Sequence, residues 1–171
     1  MKLRRDITIG RRRTYFAGSD VPWYEIYPFF LVHMLGFGGS SFVLAYLADF
    51  QLLALYLLGG FALLIYVVAY LAIFGLDEVK WMFINAGLGS LGIYSQIEWL
   101  LSLVDKRAGD YPLHVHAVPF LYYVLYTFLL RQAVLDITES REDPVRKKRA
   151  ENLLIAFSVA FYVTSYYVTS E

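Results

Sequence analysis

The chain has 171 residues, of which 58% are hydrophobic and 18% aromatic, while only 18% are charged. Soluble domains run at about 45–50% apolar and about 25% charged residues, so this composition, with a mean hydropathy of +0.51, belongs to a membrane-embedded chain. Fifteen cations balance fifteen acids and there is no cysteine, which excludes a nucleic-acid binder driven by net basicity, disulfides, Cys-ligated metal centres and thiolate chemistry.

A charge at the centre of a bilayer costs roughly 2.5–3.5 kcal/mol on insertion scales, so charge-free windows mark the candidate spans. The first 22 residues form a basic tail carrying Lys2, Arg4, Arg5, Arg11, Arg12 and Arg13. Such a tail is expected to lie on anionic lipid headgroups at the inner membrane surface. Asp6 interrupts it and no clean amphipathic stripe is present, which argues against a mitochondrial presequence. The apolar run that follows is too long for a signal peptide and lacks a small-x-small cleavage site.

The first span is expected at about 24–48, inside the charge-free window 26–48. His33 lies ten residues past Trp23, about 15 Å along a helix, and therefore near the midplane. A neutral histidine there is expected to bond a Ser, a Tyr or a backbone carbonyl. Gly36 and Ser40 stand at small-xxx-small spacing, and the third span repeats the pattern at Ala86 and Ser90. Such faces let helices approach closely in lipid, so these four residues are expected to pack spans one and three together. The second span is expected at about 51–75, with Gly59-Gly60 as a site for a kink.

The third span, expected at about 81–104, carries Asn85, Gln96 and Glu98 among apolar residues. Ionisable and amide groups at membrane depth are functional-site candidates, together with His33. After the Asp105–Tyr111 loop comes Pro112-Leu113-His114-Val115-His116-Ala117-Val118-Pro119. Prolines seven residues apart argue against regular helix between them. If the stretch is extended, His114 and His116 point to one side and, with Glu98, make a chemically sensible divalent transition-metal site. If a helix starts at Pro112, the two rings diverge by about 200° and cannot chelate together. The plainer reading has the two histidines meeting water at the interface and Glu98 pairing with Lys106 or Arg107, so no cofactor is expected, and a divalent transition metal is the one these residues could take.

The fourth span is expected at about 112–134 and holds Tyr122, Tyr123 and Tyr126. Each hydroxyl needs a partner; the group reads either as packing or as the wall of a cavity for a lipid-like ligand. Arg131 and Asp136 end this span, with Arg131 read as snorkelling to the interface. In the loop that follows, Asp143 can cap a helix that Pro144 begins, leading into a fifth span at about 152–169.

Windows of these lengths are helix lengths, so residues 23–171 are expected to form an all-α, multi-pass bundle of five transmembrane helices. With the N-terminus inside and the C-terminus outside, thirteen of the fifteen cations fall on one face, as the positive-inside rule requires. A cytoplasmic membrane is the expected location, with an organellar inner membrane as the alternative. No phosphate loop, nucleophile elbow or HExxH motif is present, and no catalytic residue can be named. Three functions are compatible with these residues. The first is a bundle subunit or homo-oligomeric accessory component of a membrane complex. The second is a small oligomeric transporter or channel. The third is a metal-dependent enzyme acting on a lipid-like substrate from the outer half.

Overall fold

A computed structural model of the chain describes residues 6–9, 13–19, 21–47, 52–88 and 90–170. It is all-α apart from one small hairpin in the basic tail. There β1 (Ile7–Ile9) pairs antiparallel with β2 (Arg13–Tyr15), in the register Ile7–Tyr15, Thr8–Thr14 and Ile9–Arg13. The composition of the tail conceals this element, but β-branched and aromatic residues on both strands favour it. The Asp6 carboxylate accepts the Ala17 amide at 2.6 Å, and the Tyr15 hydroxyl donates to Glu25 in the first turn of the next helix. The tail is thereby tied to the helical body.

Six helices follow among the described residues: α1 (Trp23–Leu47), α2 (Leu52–Phe74), α3 (Leu76–Leu88), α4 (Ser90–Ser102), α5 (Leu113–Ile137) and α6 (Pro144–Ser170). Of these, α1, α2 and α5 are each long and apolar enough to cross a membrane. Both α1 and α2 contain a π-turn, at Val43–Leu47 and Leu55–Gly59 respectively. The second of these ends at Gly59, the first residue of the Gly59-Gly60 pair. Gly75 ends α2 at φ 87, a left-handed conformation that glycine adopts without strain.

The third apolar window is helical over Leu76–Leu88 (α3) and Ser90–Ser102 (α4), on either side of residue 89, which lies outside the described residues. One expectation changes. The stretch between Pro112 and Pro119 is helical, not extended. Pro112 takes the N-cap position, where a missing N–H costs nothing, and Pro119 is accommodated inside the helix at the loss of one backbone bond. Asp143 does cap α6: its Oδ1 accepts the Val145 and Arg146 amides at 2.9 and 3.2 Å.

Packing is pairwise. The chief partner of α1 is α5, and that of α4 is α6. The core is a run of tilted and edge-on rings from Phe30 through Tyr66, Tyr70 and Phe74 to Phe128. Tyr70 is fully buried and donates its hydroxyl to the Leu125 carbonyl at 3.3 Å. Outside this core the helices expose large apolar side chains in quantity, among them Val32, Phe61, Leu64, Leu153 and Phe157. A water-soluble chain does not present so much apolar surface, whereas a bilayer is the solvent that accepts it.

Close helix approach occurs at Gly59 and Gly38. A Cβ on Gly59 would stand 2.7 Å from Val118 Cγ1 and 3.1 Å from Ser41 Oγ, where α2, α1 and α5 meet. Gly38 lies against the Tyr122 ring, while Gly36 has nothing within 4 Å and Ser40 is exposed. The face of α1 that packs is therefore the one carrying Met34, Gly38 and Ser41; Gly36 and Ser40 lie on the exposed side. Gly59→Ala is expected to cost about 1–3 kcal/mol, as overpacking does. Gly60→Ala, with open space at its Cβ, is expected to be neutral or slightly stabilising. Unfolding of both variants in detergent micelles measures the difference, and equal stabilities would mean that the three helices do not meet at Gly59.

Candidate functional site

Four helices, α3 to α6, line a half-open cavity of about 980 Å³. This lies at the upper end of the size range of ligand pockets. Its walls are apolar, with Met82, Ile93, Val124, Phe128, Leu154 and Ile155 among them. Its ionic end is made where three helix ends converge. Glu78, in the first turn of α3, accepts Arg131 of α5 at 2.7 Å and the Gln132 side-chain amide at 2.9 Å. Lys147 of α6 reaches the other Glu78 oxygen at 3.4 Å, and the second Arg131 nitrogen donates to Glu151 of α6 at 2.5 Å. Beside this group, Asp136 binds Arg141 at 2.6 Å and accepts the Tyr27 hydroxyl, which joins α1 to the same cluster.

The electrostatics follow from this geometry. Burial on its own would raise the Glu78 carboxyl. The Arg131 and Gln132 hydrogen bonds, with the charges of Arg131 and Lys147, outweigh burial and hold its pKa down at about 2, against an ordinary 4.5. Burial would lower Arg141, but the bond and charge of Asp136 raise it instead. Gln132 is completely buried; its amide nitrogen is used by Glu78 while its Oε1 has no partner. Arg131, read from the sequence as snorkelling to water, is instead the shared partner of two carboxylates.

The remaining predicted site residues fall into separate places. Tyr123, Gln96 and Ala86 line the cavity. Tyr122 is buried against α2, donating to the Gly59 carbonyl at 3.3 Å, and Tyr126 packs on the hydrophobic core. His33 is exposed on α1, its Nδ1 2.7 Å from the Phe29 carbonyl oxygen and its ring against the Phe29 ring. Ser90 bonds the Gly87 carbonyl. The Asn85 side chain lies outside the described ones.

His114, His116 and Glu98 sit at the opposite end of the bundle from the ionic cluster. Because α5 already includes residue 114, the two histidines diverge: His114 is exposed and His116 is buried. His116 Nδ1 lies 2.7 Å from the Tyr46 hydroxyl, and its Nε2 lies 3.2 Å from the Ala108 carbonyl. A carbonyl can only accept, so Nε2 carries the proton and Nδ1 accepts from Tyr46. Neither nitrogen then has a lone pair left for a metal. Glu98 accepts the Ala108 amide at 2.6 Å. Lys106 and Tyr111 both donate to the Tyr46 carbonyl, at 2.5 and 2.8 Å. These contacts pin the loop before α5 onto α1 and α4. Among the described residues, no three His, Asp or Glu side chains are grouped to hold a metal ion.

Sequence reasoning missed the Glu78–Arg131–Glu151 hub. The available signal was that charges of opposite sign stand at the cation-rich ends of the third, fourth and fifth apolar windows, at Glu78, Arg131 and Glu151. No protein-family model, curated protein or solved structure matches the chain.

The low pKa of Glu78 sets a pH dependence. A carboxyl whose folded pKa is depressed contributes its stability fully above its ordinary value and loses it as pH falls toward the folded value. Glu78→Gln is expected to be destabilised by about 1.5–3 kcal/mol at neutral pH, the range for hydrogen bonds to charged groups. Its deficit against the wild type is expected to shrink between pH about 4.5 and about 2, the window set by the two Glu78 values. Thermal unfolding in detergent across that range checks this. A deficit that does not change with pH would mean that the ionised carboxylate does not hold the hub.

Proposed function

We propose that this chain is a five-span integral membrane protein whose cation-rich face is cytoplasmic, and that it holds an amphipathic, lipid-like molecule in the cavity between α3, α4, α5 and α6. The carrying observation is the cavity itself: about 980 Å³, apolar along its walls and ionic at one end. Binding sites between helices of a bundle have apolar walls and a few placed polar groups, as here.

The five-span reading draws support from two further features. Large apolar side chains are exposed along α6 from Leu153 to Tyr167, the surface expected of a lipid-facing helix. The helical residues of α3 and α4, on either side of residue 89, span the third charge-free window. The ligand-binding reading is compatible with a place in a larger membrane complex or with self-association, for which the exposed faces of α1 and α2 leave room.

Both parts can be tested on the full chain, whose lack of cysteine makes single-cysteine labelling clean. In sealed vesicles a membrane-impermeant maleimide is expected to reach Glu139→Cys from the cation-rich side and Gly109→Cys and Glu171→Cys from the other. Labelling of Glu171→Cys from the same side as Glu139→Cys would remove the fifth span. For the cavity, Gly92 lines it and has open space at its Cβ, so Gly92→Phe places a ring in the cavity. Lipid extracted from gently purified wild-type protein is expected to contain an amphiphile at about one per chain that Gly92→Phe lacks. Identical lipid content in the two proteins would overturn the binding reading.

A further inference from the structure

The register of the four helices shows where inside the cavity a ligand's polar group belongs. At the ionic end Glu78 faces Lys147, and further along Trp99 packs edge-on against Phe161 with ring centres 5.8 Å apart. Both contacts advance along the chain together, so α3–α4 and α6 run parallel. Three residues before that ring pair stand Gln96 and Ser158, which therefore lie at one level. Arg131 and Glu151 are bonded at the ionic end. Counting outward from them, Ser158 is about 10 Å along α6 and Tyr123 about 12 Å along the oppositely directed α5.

Gln96, Tyr123 and Ser158 all line the cavity and form a ring of three, Gln96 beside Ser158 by the Trp99–Phe161 contact and Tyr123 at about the same height as Ser158 above the Arg131–Glu151 pair. Among the described residues their side chains have no hydrogen-bond partner, whereas Thr127, another polar lining residue, is occupied by the Val124 carbonyl at 3.0 Å. A polar group in an apolar cavity without a partner is costly, and a ligand that supplies one gains that energy on binding. The charges at the mouth behave differently: Arg131 and Lys147 already face Glu78 and Glu151. Seating an ion among three uncharged groups would add a desolvation penalty with nothing to offset it.

Building on the binding reading above, we propose that the ligand is an uncharged amphiphile. Its hydroxyl or carbonyl group sits in the Gln96–Tyr123–Ser158 ring, and its hydrocarbon part lies along the apolar walls. The protein thus selects neutral lipids over charged ones that carry the same chain.

The experiment compares three probes with one common chain: monooleoylglycerol, oleate and oleylamine, titrated into wild-type protein in mild detergent at low and high salt. Monooleoylglycerol is expected to bind once per chain, with little salt dependence and at least about tenfold more tightly than either ion. Tyr123→Phe and Gln96→Leu are each expected to weaken it about tenfold, the value of one hydrogen bond to a neutral group at the upper end of its range. Ser158→Ala gives a third and smaller truncation in case either of those fails to fold. Tighter, salt-sensitive binding of oleate or oleylamine would overturn the neutral-ligand proposal and leave the cavity as a binding site. Monooleoylglycerol binding untouched by all three substitutions would overturn the ring. If no probe binds the wild type better than it binds Gly92→Phe, the binding reading itself fails.

Discussion

Arg131 carries a charge that cannot be left alone at the edge of an apolar bundle, and the surrounding structure is arranged around that requirement. Its guanidinium donates to Glu78 of α3 with one nitrogen and to Glu151 of α6 with another, so one residue of α5 ties down the beginnings of two other helices. Lys147 and the Gln132 amide complete the shell around Glu78. The planar fork of arginine suits this bridging role, which a lysine's point charge would not fill. Once these helix ends are joined, the cavity walls have a fixed spacing at one end, and the space between α3, α4, α5 and α6 stays open above it.

The opposite end is held by a different chemistry. There His116, buried, is sandwiched between a hydroxyl donor and a backbone carbonyl. Around it Glu98, Lys106 and Tyr111 use their polar atoms on main-chain groups. The loop before α5 thereby gains partners for backbone that regular structure does not pair. Between the two ends the tyrosines Tyr66, Tyr70 and Tyr122 provide bulk, packing ring against ring while their hydroxyls, where bonded, reach carbonyls of neighbouring helices. An ionic hub holds one end and a clasp of side chains bonded to main-chain groups the other, and between them Gln96, Tyr123 and Ser158 line the cavity.

Several elements were readable from residue order. Charge spacing locates α1, α2 and α5 to within a few residues, and the Asp143-Pro144 pair marks the start of α6. Tyr123 and Gln96 stood out because a polar group at membrane depth needs a reason. Other features were opaque. Local rules counted against helix between Pro112 and Pro119, yet helix forms there because an N-cap tolerates the first proline and buried packing compensates for the second. Gly36 and Ser40 have the spacing of a packing face but lie on the exposed side, since many residues satisfy the spacing and only the partner helix selects among them. The hairpin in the basic tail was hidden behind its charge.

The class of the chain follows from composition and periodicity alone, because the cost of placing charge in hydrocarbon acts residue by residue and needs no knowledge of neighbours. All-α structure and apolar helices of membrane-spanning length were therefore legible at once. Which helices touch, which histidine is buried, and that Glu78, Arg131 and Glu151 form one cluster are properties of residue pairs 20 to 73 positions apart. No local rule reports on such pairs, since their energies exist only when the helices have met. The cavity belongs to the same category: it is the space left between four elements, and only their packing defines it.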